Sequence, residues 1–272
     1  MGISLCFAFQ EEGEMNRRLA TEIIGAFREE RINVLRDRFA PFDEREWLQN
    51  KEWLHTSGLA LPFLARVREL GIADIMPAQV LDELEHNHAQ NRVRTEDLFD
   101  EFVKINMEFQ RARLSYANLK GFTLAPRSFV DPAYRYQHDL DFLVSRHDAE
   151  RCRQAVERHG YRLDAVYGDT WEFRAGIQKG SSIHELYKVR PERSLEVHLV
   201  SEREQGESDW HSDRLSRLQL QVWNGFEFPA LSECDKLLAQ AQHLFKHFQT
   251  EWTRTAWMLE YANAIRSHRD NE

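Results

Sequence analysis

Asp139-Leu140-Asp141-Phe142-Leu143-Val144 is the stretch on which the fold turns. It alternates and then ends apolar, which suits a β-strand with one face buried. Residues two apart in a strand project to the same side. Asp139 and Asp141 therefore point together, while Leu140 and Phe142 turn to a core. Adjacent carboxylates repel each other unless a proton or a cation lies between them. Hard divalent ions such as magnesium prefer carboxylate oxygen. An isolated Asp-x-Asp is common on solvated strands and turns, so its meaning depends on what accompanies it.

Downstream, Leu195-Glu196-Val197-His198 alternates in the same way, with Leu195 and Val197 facing away from Glu196. Glu196 is the candidate third acid. Three acids on neighbouring strands would complete a site for two ions about 4 Å apart, able to activate an attacking oxygen and stabilise a leaving one. His198 shares the side of Glu196, either orienting a metal ligand from the second tier of contacts or sitting as a packed, hydrogen-bonded histidine.

Around these strands the chain reads as a mixed α+β core between two helical regions. Residues 15–115 show apolar positions at three- and four-residue spacing, including Leu48, Leu54, Leu61, Leu81, Leu84, Leu98, Phe102, Ile105 and Phe109. Pro41, Gly58, Gly71 and Pro77 punctuate the helices. Thr95, followed by Glu96 and Asp97, predicts a helix start running to about Arg113. Residues 147–159 predict a helix stopped by Gly160; Trp171–Arg174, Ile183–Val189 and Leu195–Val200 predict strands. From Ser232 onward the spacing is helical again. The division expected is a helical region over 1–115, a core over 116–200 and a helical region over 201–272.

The 272 residues carry a net charge of −9. Such a chain does not hold bulk nucleic acid through a general positive field, although a local basic pocket remains compatible with it. Cys6, Cys152 and Cys234 are sparse and far apart, which argues against a cysteine zinc site and fits a reducing compartment. Gly2–Gln10 is apolar but short, with no basic residue ahead of it and acids directly after, unlike a secretory leader. No run approaches the ~18 apolar residues that span a bilayer. The expectation is a cytoplasmic protein with no membrane partner.

The segment from Leu119 to Val144 resembles the signature of the uncharacterised nucleotidyltransferase family within the DNA polymerase β-like superfamily. The similarity rests on the Lys120-Gly121 turn, Asp131-Pro132, Arg135 and Asp139-Leu140-Asp141 followed by Phe142-Leu143-Val144. Leu195-Glu196-Val197-His198-Leu199 is similar to the family's acidic-x-His strand, and the helix around Leu237–His247 to its C-terminal helix. The resemblance extends loosely over about residues 50–265 and is specific between 119 and 144.

It implies a small mixed-sheet nucleotidyltransferase core in which Asp139, Asp141 and Glu196 are catalytic and hold magnesium, with two ions expected. The implied reaction moves a nucleoside monophosphate from a nucleoside triphosphate to an acceptor and releases pyrophosphate. Lys120, Gly121, Arg135 and His138 would meet the nucleotide. Glycine lets the backbone approach phosphate, and lysine and arginine supply charge. The superfamily's Gly-Ser loop is absent, with Lys120-Gly121 in its place, and His138 stands where many relatives have a small residue. The acceptor, whether small molecule, peptide or RNA, is not named by these residues. The rival readings are a catalytically silent binding or regulatory relative and a toxin-like enzyme that modifies transfer RNA.

Several residues have plainer readings. Lys120 reads equally as a surface lysine in a turn, and Arg135 as an ion-pair partner of Asp131 or Asp139. His243 and His247, four apart on a helix, read as packing rather than as a metal pair. Trp47, Trp53, Trp252 and Trp257 read as helix packing rather than base stacking.

Overall fold

The computed structural model describes residues 15–176, 186–189, 192–200, 212–249 and 253–269. The chain divides into two compact units, Met1–His86 and Asn87–Glu272. No helix among the described residues is long and apolar enough to cross a membrane.

The first unit is helical: α1 Arg17–Ala26, α2 Ile32–Phe39, α3 Glu44–Thr56 and α4 Ala60–Glu69. Asp43 and Glu46 form a reciprocal capping box that starts α3. Gly58 and Gly71 take positive φ where α3 and α4 stop. Trp47 is fully buried against Phe39 and Phe63, at centroid distances of 5.7 and 6.1 Å.

Helix α5, Ala78–Arg111, is 34 residues long. The start expected at Thr95 is therefore corrected. Thr95 lies inside the helix and its Oγ1 donates to the carbonyl of Asn91. A Thr-Glu-Asp sequence caps a helix only where the preceding chain is non-helical, and no Gly or Pro interrupts residues 78–111.

The second unit is built on a seven-stranded mixed sheet. Its strands are β1 Tyr116–Leu119, β2 Asp139–Ser145, β3 Arg162–Tyr167, β4 Thr170–Ala175, β5 Arg193–Val200, β6 Gln219–Trp223 and β7 Phe226–Ala230. Their order is β3-β4-β5-β2-β1-β7-β6. Strand β2 lies at the centre, antiparallel to β1 and parallel to β5. Helix α6, Ala149–Arg158, follows β2; α7, Glu233–Gln249, and α8, Thr255–Arg269, close the chain. The architecture is α+β, as the sequence predicts.

Three local expectations change. Residues 183–185 of the strand expected at Ile183–Val189 lie outside the described residues, and 186–189 form a turn rather than a strand. Strand β3 occupies a stretch, alternating at Arg162-Leu163-Asp164-Ala165, for which no element was expected. The stretch from 201 onward is not helical throughout, because β6 and β7 add a hairpin to the sheet. Its two-residue loop, Asn224-Gly225, has φ of 45° and 78°. That is the Asn-Gly turn whose twist matches antiparallel strands.

One face of the sheet is the main core. Leu140, Phe142, Val144, Leu195, Val197 and Phe173 pack there with Phe102, Ile105 and Phe109 of α5 and Cys152, Ala155 and Val156 of α6. Asn106 of α5 and Asn118 of β1 exchange side-chain hydrogen bonds of 3.0 and 2.7 Å inside this layer. Asn118 also donates to the carbonyl of Pro229 at 2.9 Å. Buried amides must be satisfied, so this pair fixes the helix against β1 and β7. On the opposite face, Ala117, Leu143, Val200 and Leu231 form a smaller apolar patch that includes Ala239 of α7.

Candidate active site

Strand alternation sends Leu140 and Phe142 into the core and Asp139 and Asp141 to the other face of β2. The parallel register of β2 and β5 sets Asp141 beside Glu196 and Asp139 beside Ser194. His198 lies one pleat further along the same face. Its Nε2 is 3.4 Å from Asp141 Oδ1 and 3.5 Å from Glu196 Oε2. Among the described residues, Asp141, Glu196 and His198 form the one group of three or more such side chains whose ligand atoms all lie within 4.8 Å of one another. The set expected from the sequence was Asp139, Asp141 and Glu196; the group that meets is Asp141, Glu196 and His198, with Asp139 on the same face but outside it.

Lys120 closes this cluster. Leu119 at the end of β1 is registered opposite Asp141, and the Lys120 ammonium lies 2.7 Å from Asp141 Oδ1. The backbone reaches that position at a cost. Lys120 has φ 47° and ψ −156°, a conformation that non-glycine residues rarely adopt. Gly121 follows at φ 46°. A Cβ there would run into Gln137 Nε2, the group that donates to the Asp139 carbonyl at 2.9 Å. The dihedral favours glycine, and a side chain there would displace the Gln137 amide that lies across it.

The electrostatics follow from the geometry. Burial alone would raise the Asp141 carboxyl, but Lys120 and His198 hold it well below the usual range. Asp139 is pushed up to about 6 by burial and by the Asp141 charge, with Lys120 only partly offsetting. Burial opposes the charge on Lys120, yet Asp141, Asp139 and Glu196 together raise its pKa. Burial likewise opposes protonation of His198, and its bonds to Asp141 and Glu196 outweigh it. Asp139 is therefore the carboxylate of the cluster that most readily takes up a proton.

The remaining expected residues lie beside this centre. Arg135 pairs with Glu260 of α8 at 2.9 Å, in place of the Asp131 or Asp139 pairing considered from sequence, and lies over the Phe129 ring. His138 stacks near Tyr136, and its Nδ1 is 3.4 Å from Arg94 Nη2. Arg94 also donates to the Gln137 carbonyl at 3.0 Å and lies over the Tyr136 ring, so it fixes the chain entering β2.

A cleft opens next to Lys120, bounded by Leu119, Arg135, Leu231, His243, Trp257 and Glu260 among others. His243 and His247 both pack against Trp257, at 4.8 and 4.5 Å, in keeping with their packing role. His243 nevertheless forms part of the cleft wall. Burial, with Lys120 and His247 nearby, holds its pKa down at about 3.

Sequence reasoning missed Thr170, Gln137, Arg94 and Glu260. Thr170 Oγ1 is 3.2 Å from His198 Nδ1 because β4 and β5 pair with Thr170 opposite His198. Nothing local in the sequence announces a pairing across so many intervening residues. Gln137 had a faint signal, since the Lys120-Gly121 turn implied that something approaches the glycine closely.

Comparison with known proteins adds a family. Similar solved structures include ANT(2″)-Ia in complex with adenylyl-2″-tobramycin, 13% identical, with 61% of this chain and 86% of that one covered at a TM-score of 0.43. The lincomycin-bound lincosamide antibiotic adenylyltransferase LnuA is 15% identical, with 58% and 89% covered at 0.38. An antigenic nucleotidyltransferase-like protein from Paracoccidioides brasiliensis is 11% identical, with 65% and 75% covered at 0.39. A search of curated proteins gives no match. The family described as uncharacterised nucleotidyltransferase matches residues 43–272. That span includes every residue of the site, and the chain belongs to the uncharacterised nucleotidyltransferase family, as an NTP-dependent transferase.

Proposed function

We propose that this protein transfers a nucleoside monophosphate from a nucleoside triphosphate to an acceptor oxygen. The bond formed joins the acceptor oxygen to the α-phosphorus, and the bond broken joins the α-phosphorus to the bridging oxygen, so pyrophosphate leaves. The observation that carries this reading is the meeting of Asp141, Glu196 and His198 on one sheet face, with Lys120 against Asp141.

The donor set fits a divalent cation. Asp139, Asp141 and Glu196 present more negative charge than Lys120 offsets, and the elevated Asp139 carboxyl expresses that excess. Asp139, Asp141 and Glu196 would hold the cation, magnesium or a similar ion, in one or two positions. When bound it supplies charge neutralisation and Lewis acidity at the reacting phosphate.

The chain's own groups do the rest. Lys120 and Arg135 border the same cleft and supply positive charge to the triphosphate. Gly121 keeps the turn open at the main chain. His138 stands at the entry to β2, within reach of a phosphate approaching from the Arg94 side. The apolar walls of the cleft exclude water from the transfer. The sparse cysteines, with Cys152 and Cys234 both unpaired, support a cytoplasmic setting.

The test is product formation from α-labelled triphosphates with magnesium or manganese, using small-molecule, peptide and RNA fractions in turn as acceptors. Wild type should release pyrophosphate and label one fraction, and Asp141→Asn should do neither. Equal labelling by the two proteins would sink the assignment.

A further inference from the structure

We propose that His198 is itself a ligand of the divalent cation, so that one imidazole nitrogen joins the carboxylates and the site favours manganese over magnesium. This rests on the nucleotidyltransfer reading and deepens it, because a site of oxygen donors alone suits magnesium and manganese alike. Three features of the protein carry it.

The first is distance. Two ligand atoms in neighbouring positions of an octahedron, each about 2.1 Å from one magnesium or manganese ion, are about 3.0 Å apart. His198 Nε2 is 3.4 Å from Asp141 Oδ1 and 3.5 Å from Glu196 Oε2. These separations are long for charge-assisted hydrogen bonds, which fall near 2.7–2.9 Å. They are a few tenths of an ångström wider than that cis spacing, so a small closing movement of the side chains would bring a nitrogen and two oxygens around a common centre.

The second is the hold on the far side of the ring. A metal-ligating histidine characteristically uses its other nitrogen to bond an oxygen that fixes tautomer and orientation. His198 Nδ1 faces Thr170 Oγ1 at 3.2 Å. With the Nδ1 proton donated to that hydroxyl, the Nε2 lone pair faces two carboxylates. A lone pair aimed at two anions is repulsive unless a proton or a cation lies between them.

The third is how the ring is placed. His198 is directly opposite Thr170 in the β4–β5 ladder and in register with Leu143 of β2. Its position is therefore set by the central strands and not by a loop, as a preorganised ligand requires. Imidazole is a better ligand for later first-row ions than for magnesium, which prefers carboxylate, carbonyl and water. Manganese accepts both donor types.

The deciding experiment is pulsed electron paramagnetic resonance of the full-length protein loaded with Mn²⁺, together with calorimetric titration of Mn²⁺ and Mg²⁺. Wild type should show nitrogen-14 modulation from a directly bound imidazole. His198→Gln should lose that modulation and weaken Mn²⁺ binding by at least about tenfold, with Mg²⁺ affinity altered much less. Thr170→Val should keep the nitrogen signal and bind Mn²⁺ more weakly. Manganese bound in wild type without nitrogen modulation, but lost in Asp141→Asn, would overturn the His198 assignment and leave the carboxylate site standing. Absence of any Asp141-dependent binding of either ion, with a nonhydrolysable triphosphate present, would overturn both readings. The wild-type spectrum decides the question even if the His198 variant does not fold.

Discussion

Strands β2 and β5 carry two chemistries on their two faces. On one, Leu140, Phe142, Leu195 and Val197 meet apolar partners from α5 and α6 and are almost wholly excluded from water. On the other, one residue along each time, Asp139, Asp141, Glu196 and His198 crowd together with Lys120 as the nearest compensating charge. The first face is satisfied within the protein. The second becomes satisfied only when something is added, as expected where a fold holds groups together for chemistry rather than for stability.

That contrast can be broken most forcefully from the satisfied side. Phe142→Ala should cost about 3–5 kcal/mol of unfolding free energy, the range for a large buried aromatic truncated to a cavity. Its ring lies 5.0 Å from that of Phe109 and is fully buried. Urea denaturation measures the loss; a cost near zero would mean that the core face is not closed.

On the charged side the leading effect should fall on ligand affinity. Lys120→Ala should weaken binding of a nonhydrolysable triphosphate by roughly 10- to 100-fold, the worth of one charged hydrogen bond of about 1.5–3 kcal/mol. The free nucleoside should be affected far less. Calorimetry that finds equal affinities for the triphosphate would return Lys120 to a purely local ion pair with Asp141.

A subtler difference should appear with pH. Asp139 is raised from the usual 3.8 to about 6 in the folded protein, through burial and the neighbouring Asp141. The folded state therefore keeps a proton that the unfolded chain has released. In metal-free buffer this group's contribution makes stability fall as pH rises from about 4 to about 6. Asp139→Asn should flatten that slope and melt higher than wild type at pH 7.5 while abolishing turnover. Melting curves that run parallel for the two proteins across this range would remove Asp139 from the repelling cluster.

The smallest perturbation is chemical labelling. Cys152 lies in the core under α6, and burial pushes its thiol well up, whereas Cys234 at the start of α7 is exposed. A thiol reagent at neutral pH should modify Cys234 quickly and leave Cys152 intact until the protein is unfolded. Peptide mapping that found Cys152 modified first would indicate a core face looser than its packing implies.

How much of this was legible in the sequence depends on range. Alternation marked β2 and β5, and with them Asp139, Asp141, Glu196 and His198, because a strand's two faces are written two residues apart. The Lys120-Gly121 turn was visible through its glycine. Strand pairing leaves no such trace. Thr170 opposite His198 and Glu260 against Arg135 are set by elements far apart in sequence. The β6–β7 hairpin carried local signs, the Asn224-Gly225 turn and the alternation of Gln219-Leu220-Gln221-Val222, which a helical reading of 201–272 passed over. Thr95 misled for the opposite reason, since a local capping pattern was overridden by an uninterrupted helical stretch around it.

The amide of Gln137 occupying the volume of a missing side chain at Gly121 ties two positions sixteen residues apart into one heritable unit. A change at either position shifts the other. A larger residue at 121 collides with the amide, and a shorter one at 137 releases the Asp139 carbonyl and leaves a hole above the turn. Paired libraries at 121 and 137 should therefore recover folded proteins in combinations that the corresponding single-site libraries lack. Even those proteins would still have to find a residue that tolerates the left-handed backbone at 121.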